Sequence, residues 1–145
     1  MKIIAKNRKA TFNYEILDRY ESGLVLTGSE IKSIRNGDVS IQDSYISFER
    51  NEAYIINMNI TNYQYSTSYQ VDALQKRKLL LNRREILRLQ QEKKTKSLVV
   101  IPLNLYLTLK GKAKIEIALA RPKKLHDKRE AVKARELKRQ IKEKY

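Results

Sequence analysis

The sequence predicts a mainly β fold, a small closed barrel of about six short strands with helices on its flanks, followed by a basic C-terminal tail. Three observations predict it. Short runs with apolar residues at period two recur through the first 120 residues, as half-buried strands require. Polar or glycine-containing turns separate several of these runs at hairpin spacing. Residues 121–145 then carry 11 Lys or Arg against 4 Asp or Glu, with too few apolar residues to bury a helix in a core. The division expected is therefore a domain over 1–120 and a tail over 121–145.

Each element has its own signal. In Thr11–Leu17, Phe12, Tyr14 and Ile16 share one face of a strand. Gly23 is expected to break the chain before a second short strand over Leu24–Leu26. Gly28 to Gly37 encloses a short helix, with Ser29 as N-cap and Gly37 beyond its end. Ile31 and Ile34 would face the core, leaving Glu30, Lys32 and Arg35 pointing elsewhere. Ser40–Phe48 and Ala53–Ile60 form a hairpin across the polar turn Glu49-Arg50-Asn51-Glu52. Residues 61–77 show no period, carry Tyr63, Tyr65 and Tyr69, and are expected to be an exposed loop. Asn82 caps a helix from Arg83 to about Glu92 with Ile86 and Leu89 on one face, and residues 93–97 form a polar turn. Leu98–Leu109 and Lys112–Ala120 are two strands joined at Lys110-Gly111, and Pro102 marks an edge or a bulge.

The charge narrows the function. The chain has 31 Lys or Arg and 16 Asp or Glu, a formal net charge of +15, and the excess is shared by body and tail. Such a balance favours a nucleic-acid partner over a metabolite enzyme. An acidic membrane surface would also attract it, but no stretch approaches the ~20 apolar residues of a membrane span. Charge interrupts the N-terminus too early for a signal segment, so the expected compartment is the cytoplasm. There is no Cys and a single His, His126, so no zinc site and no cofactor is expected. No glycine-rich phosphate loop occurs either, and catalysis is not expected.

The basic clusters are the better-supported constellations. Asn7-Arg8-Lys9 precedes the first strand, Lys76-Arg77-Lys78 precedes Leu79-Leu80-Leu81-Asn82, and Arg83, Arg84 and Arg88 follow on the helix. Such side chains contact phosphates and release counterions. Any one cluster fits a solvated surface equally well; together with the tail they favour RNA or DNA. Tyr63, Tyr65 and Tyr69 suit stacking on exposed bases or simple packing against the body. His126 lies between Lys124 and Lys128, where a flat ring among phosphate-binding charges suits stacking on an unpaired base. Ala134, Leu137, Ile141 and Tyr145 form one narrow apolar stripe, the pattern of a segment disordered when free and helical when bound. These features fit an RNA-binding adaptor and a ribosomal protein with an rRNA-threading extension equally well, and leave an RNA-processing enzyme as a third class.

Several blocks in order carry a resemblance that separates them. They are NRKATFNYEI (7–16), ESGLVLTGSEIKSIRNG (21–37), DSYI (43–46), RKLLLNRREI (77–86), VIPLNLY (100–106), KAKIEIALAR (112–121) and KKLHDKR (123–129). The chain resembles the small protein B family, the SsrA-binding proteins of bacterial trans-translation. The resemblance implies an OB-like closed barrel of six strands. It implies a monomer that binds one tmRNA through the tRNA-like domain and delivers it to stalled ribosomes. By the same resemblance Glu21, Leu80 and Asn82 are the main tmRNA-binding residues. Asn7, Arg8, Lys9, Lys32, Arg35 and Tyr45 lie in matching blocks, and Lys78 in the RKLLLN block joins them. The tail is implied to enter the empty mRNA channel near the decoding centre, against small-subunit rRNA. Its contacts would be Lys123, Lys124, His126, Asp127, Lys128 and Arg129, with Leu137 and Ile141 as apolar contacts further on. One departure stands out. Pro122 occupies a position where the family commonly has Gly, so the tail is expected to leave in a narrower range of directions.

Overall fold

A computed structural model describes residues 2–61 and 72–123. Its frame is an antiparallel sheet of seven strands in the order β1-β8-β9-β2-β7-β5-β4. These strands are β1 (Lys2–Lys6), β2 (Tyr14–Leu24), β4 (Tyr45–Glu49), β5 (Glu52–Ile56), β7 (Arg77–Leu80), β8 (Val99–Leu107) and β9 (Ala113–Pro122). A small second sheet pairs β3 (Val39–Ser40) with β6 (Asn59–Ile60). Among the described residues three helices flank the sheets: α1 (Ala10–Asn13), α2 (Gly28–Arg35) and α3 (Arg83–Lys96). The mainly β class with a few helices is thus present.

The closed barrel is not. The sheet is open, with β1 and β4 as its edges. β4 folds over to lie near β8, yet among the described residues no ladder joins them. β8 bonds β9 along the length of one side, while on the other side β1 pairs with its Asn104–Leu107 end. Lys2–Lys6 had no strand assigned from the sequence.

Other boundaries move for identifiable reasons. Ala10–Asn13 is a helical turn, so the first predicted strand begins at Tyr14. Gly23 does not end that strand; β2 runs through it to Leu24 and changes partner there, from β9 to β7. The cap of α2 is Thr27 rather than Ser29. The Glu30 amide donates to Thr27 Oγ1 at 3.2 Å and the Thr27 amide to Glu30 Oε1 at 2.9 Å, a reciprocal capping box. α3 continues through 93–96, where three Lys suit the negative end of the helix dipole, and Ser97 closes it in the left-handed region at φ 52°. The 45–56 hairpin turns on Arg50 and Asn51, both at positive φ, 51° and 61°, as a two-residue turn between twisted strands requires. Pro102 sits at a register shift in β8 opposite β9, a bulge inside the sheet.

The main core holds Ile34, Ile55, Met58, Leu79, Leu89, Leu105, Ile115 and Ile117. A second, smaller cluster of Ala10, Ile101, Leu103, Ala118 and Ala120 lies apart from it. β8 and β9 contribute to both clusters, which is why they read as nearly continuous apolar runs instead of alternating. Tyr63, Tyr65 and Tyr69 lie outside the described residues. So do Lys124, His126, Asp127, Lys128, Arg129, Leu137 and Ile141, together with the expected tail helix.

Candidate RNA interface

β2 organises the candidate site, because its two ends carry different groups of residues. Nine residues separate Tyr14 from Gly23 along it, roughly 30 Å at the ~3.3 Å rise of a strand.

At the Gly23 end lies a groove of about 620 Å³ lined by Gly23, Leu24, Thr27, Ile31, Arg35, Leu80, Lys110 and Lys114, among others. Leu80 is 58% exposed, unusual for a leucine in a strand. Gly23 stands opposite it in register. A Cβ on Gly23 would come within 3.3 Å of the Leu80 side chain, so glycine here lets Leu80 lie across the strand. Glu21 precedes it on the same strand and ion-pairs with Lys114 at 3.0 Å. The influence of the nearby Tyr106 hydroxyl, and then the lysine, hold the Glu21 carboxyl below its ordinary value. Burial first, and Glu21 second, push the Tyr106 hydroxyl well up. Glu21 faces Glu116 across the ladder. The repulsion is relieved because Glu116 accepts from Arg19 at 3.0 Å and from Asn104 at 3.2 Å. Glu21 is therefore an ionised, oriented acceptor on a basic surface.

Asn82 lies two residues after Leu80 and caps α3, its Oδ1 accepting from the Glu85 amide at 2.9 Å. Its carbonyl oxygen is committed to the helix, while the residue stays exposed, so any base contact falls chiefly to its amide nitrogen. Lys78 pairs with Glu52 at 3.0 Å and is half-exposed. Arg35 reaches the Gly111 carbonyl at 3.4 Å. Lys32 lies exposed on α2.

At the Tyr14 end a second groove of about 610 Å³ is lined by Asn7, Lys9, Asn13, Tyr14, Ser44, Tyr45 and Lys93, among others. Tyr45 is 45% exposed, and Lys9 is the N-cap residue of α1. Asn7 donates its amide to the Pro102 carbonyl at 3.0 Å, which ties it to the β8 bulge. Arg8 is exposed between Asn7 and Lys9. Lys123 belongs to this end as well. Its backbone amide donates to the Asn13 carbonyl at 3.0 Å and its ammonium to the Thr11 carbonyl at 2.9 Å. Pro122 pairs with Tyr14 as the last residue of β9. The chain thus leaves the sheet beside the second groove.

The residues singled out as one site are therefore two groups at opposite ends of β2. Glu21, Leu80, Asn82, Lys78 and Arg35 gather at one end, and Asn7, Lys9 and Tyr45 at the other. Sequence reasoning missed Lys110, Lys112 and Lys114, which wall the first groove. The usable signal was their clustering at the Lys110-Gly111 hairpin turn; Lys110 and Lys112 lie in the turn and Lys114 in β9. It also missed Glu30, expected to point outward. Glu30 and Arg77 are buried and paired, with Arg77 Nη2 2.6 Å from Glu30 Oε2. Arg77 also donates to the Met58 carbonyl. The pair joins the start of α2 to β7 and so fixes the positions of Thr27 and Leu80 on the two sides of the groove. Nothing in a linear sequence distinguishes such a glutamate from a surface one.

Basic grooves that carry an exposed leucine, an exposed tyrosine and amide side chains place the chain in a class of β-sheet proteins with the surface composition of a nucleic-acid interface. The family model described as SmpB protein matches residues 4–145. An SsrA-binding protein of Agrobacterium fabrum is 50% identical over 139 residues, 96% of this chain and 87% of the relative. One from Persephonella marina is 48% identical over 145 residues, 100% of this chain and 95% of the relative. A solved structure described as "tmRNA-SmpB: a journey to the center of the bacterial ribosome" matches with a TM-score of 0.70 at 42% identity, covering 88% of this chain and 92% of that one. The chain belongs to the SmpB family.

Proposed function

We propose that this protein binds tmRNA, the SsrA RNA, and delivers it to stalled ribosomes for trans-translation, as a non-enzymatic cytoplasmic adaptor. The observation that carries the reading is the end-to-end match to an SsrA-binding protein, 48% identical over 100% of this chain. The solved neighbour described in terms of tmRNA and the ribosome supports the same partners. Among the described residues no helix is long and apolar enough to cross a membrane.

The geometry suggests a division of labour. The Gly23 end takes the tRNA-like domain. Lys110, Lys112, Lys114 and Arg35 attract phosphates, and Leu80 packs on an unstacked base. Glu21 would be misplaced as a phosphate contact. As an ionised acceptor it suits base amino groups or ribose hydroxyls. The tail departs from the opposite end, about 30 Å away along β2, so it can follow the mRNA path while the first groove holds RNA.

The test is truncation after Lys123, which keeps the Lys123 contacts to α1. Deleting 124–145 is expected to leave tmRNA affinity nearly unchanged and to abolish peptide tagging on stalled ribosomes. Normal tagging by the truncated protein would overturn the division.

A further inference from the structure

We infer that the β8–β9 hairpin tip, with Leu109 at its apex, is an additional RNA contact that extends the first groove. The inference rests on the tmRNA-binding reading and goes beyond Glu21, Leu80 and Asn82. Leu109 is 96% exposed, against 58% for Leu80. A lone exposed leucine on a loop needs no explanation, but three features set this one apart.

The first is rigidity. Thr108 donates its amide to the Lys112 carbonyl and Gly111 its amide to the Thr108 carbonyl, both at 2.9 Å, and the Lys112 amide donates to Thr108 Oγ1 at 3.1 Å. Gly111 sits at φ 79°, a left-handed turn position that suits glycine. Arg35 braces the turn from α2 through the Gly111 carbonyl. An apolar side chain held out on a bonded turn loses little further freedom on binding.

The second is charge. Leu109 precedes Lys110 and stands near Lys112 and Lys114, lysines that also wall the first groove. An apolar protein partner would not call for that surround, whereas a nucleic acid presents phosphates beside apolar base and ribose faces. The third is continuity. Leu109, Tyr106 and Lys114 line a recess of about 540 Å³, and Lys114 is the ion-pair partner of Glu21 at 3.0 Å. The tip therefore adjoins the Glu21 acceptor through shared side chains. The occupant that fits is the same folded RNA: its phosphates on the lysines, and an unstacked base or ribose face on Leu109.

The test uses full-length protein and an in vitro transcribed tmRNA, with dissociation constants measured across a salt series. Leu109→Ala is expected to weaken binding about fivefold, the loss from truncating an apolar side chain that the RNA covers in part, with the salt slope unchanged. Leu109→Phe should bind at least as tightly as the parent, since a ring stacks better on a base. Lys112→Ala should instead lower the salt slope by about 0.7 to 0.9. Leu109 is exposed and packs in no core, so its truncation leaves the fold intact, and circular dichroism of each variant checks this. If Leu109→Ala binds within about twofold of the parent while Glu21→Ala is weakened, the hairpin contact is wrong and the groove reading stands. If Glu21→Ala also binds normally, the groove reading fails with it. Unchanged tmRNA affinity with lost ribosome co-sedimentation would assign the tip to the ribosome and overturn the inference.

Discussion

The two ends of β2 are built by different means. The Gly23 end is set by directed charge: a buried Glu30–Arg77 pair, the Met58 carbonyl and the capping box of α2 hold both sides of the groove. The Tyr14 end is set by the apolar cluster of Ala10, Ile101, Leu103, Ala118 and Ala120 and by hydrogen bonds from Asn7 and Lys123 to backbone carbonyls, with no buried ion pair among the described residues there. The difference teaches what each end can do. Crossed, buried ionic bonds keep one geometry and suit shape-specific recognition. An end held by apolar packing and neutral hydrogen bonds carries less directed charge and suits a looser RNA contact.

The contrast can be broken or sharpened in order of expected effect. Arg77→Ala leaves Glu30 buried without its partner, which costs about 3–5 kcal/mol in a buried pair, measured by urea unfolding. A cost below about 1 kcal/mol, the range of surface pairs, would show that the Gly23 end does not depend on the pair. The same pair predicts an acid limb. Burial pushes the Glu30 carboxyl up, but the Thr27 amide and the Arg77 guanidinium outweigh it and hold it below its ordinary value. A carboxyl lowered in the folded state adds stability above its unfolded value, near ~4.3, and loses it as pH falls through the folded value. Stability should therefore drop below about pH 4, and the drop should be shallower in Glu30→Gln.

On the RNA side, Glu21→Ala is expected to weaken tmRNA binding about tenfold, ~1.4 kcal/mol, the range of a hydrogen bond to a charged group. It should do so although it removes a negative charge. Tyr45→Ala, at the other end, should cost less than about threefold. Equal losses in a gel-shift assay would erase the distinction between the ends. The smallest effect concerns the caps. Asn82→Ala removes a bonded N-cap and should cost about 1 kcal/mol. Lys9 makes no side-chain cap bond to α1, so Lys9→Ala should stay within about 0.5 kcal/mol of the parent. Thermal melts compare the two.

Much of this was legible in the residues. The helix at 28–35 with Ile34 buried, the Asn82 cap and the two late strands were readable because each depends on neighbours a few positions away. The turn at 50–51 likewise needs only local backbone chemistry. The burial of Glu30 was not readable, since its partner lies 47 residues further on. β1 escaped notice because Lys2–Lys6 is short, has a lysine at each end and finds its place only against an edge of β8.

The sequence by itself determined the partner class, the local elements and, through its ordered blocks, the family. Charge, period and motif are properties of the chain order. The tertiary structure alone decided that the sheet stays open and that the candidate residues divide between two ends of one strand. It also placed Lys110, Lys112 and Lys114 beside Glu21 and Leu80. Those outcomes depend on which strand edges pair and on which distant residues the sheet order brings together. No local pattern encodes either, because a strand carries the same residues whichever neighbour it pairs with.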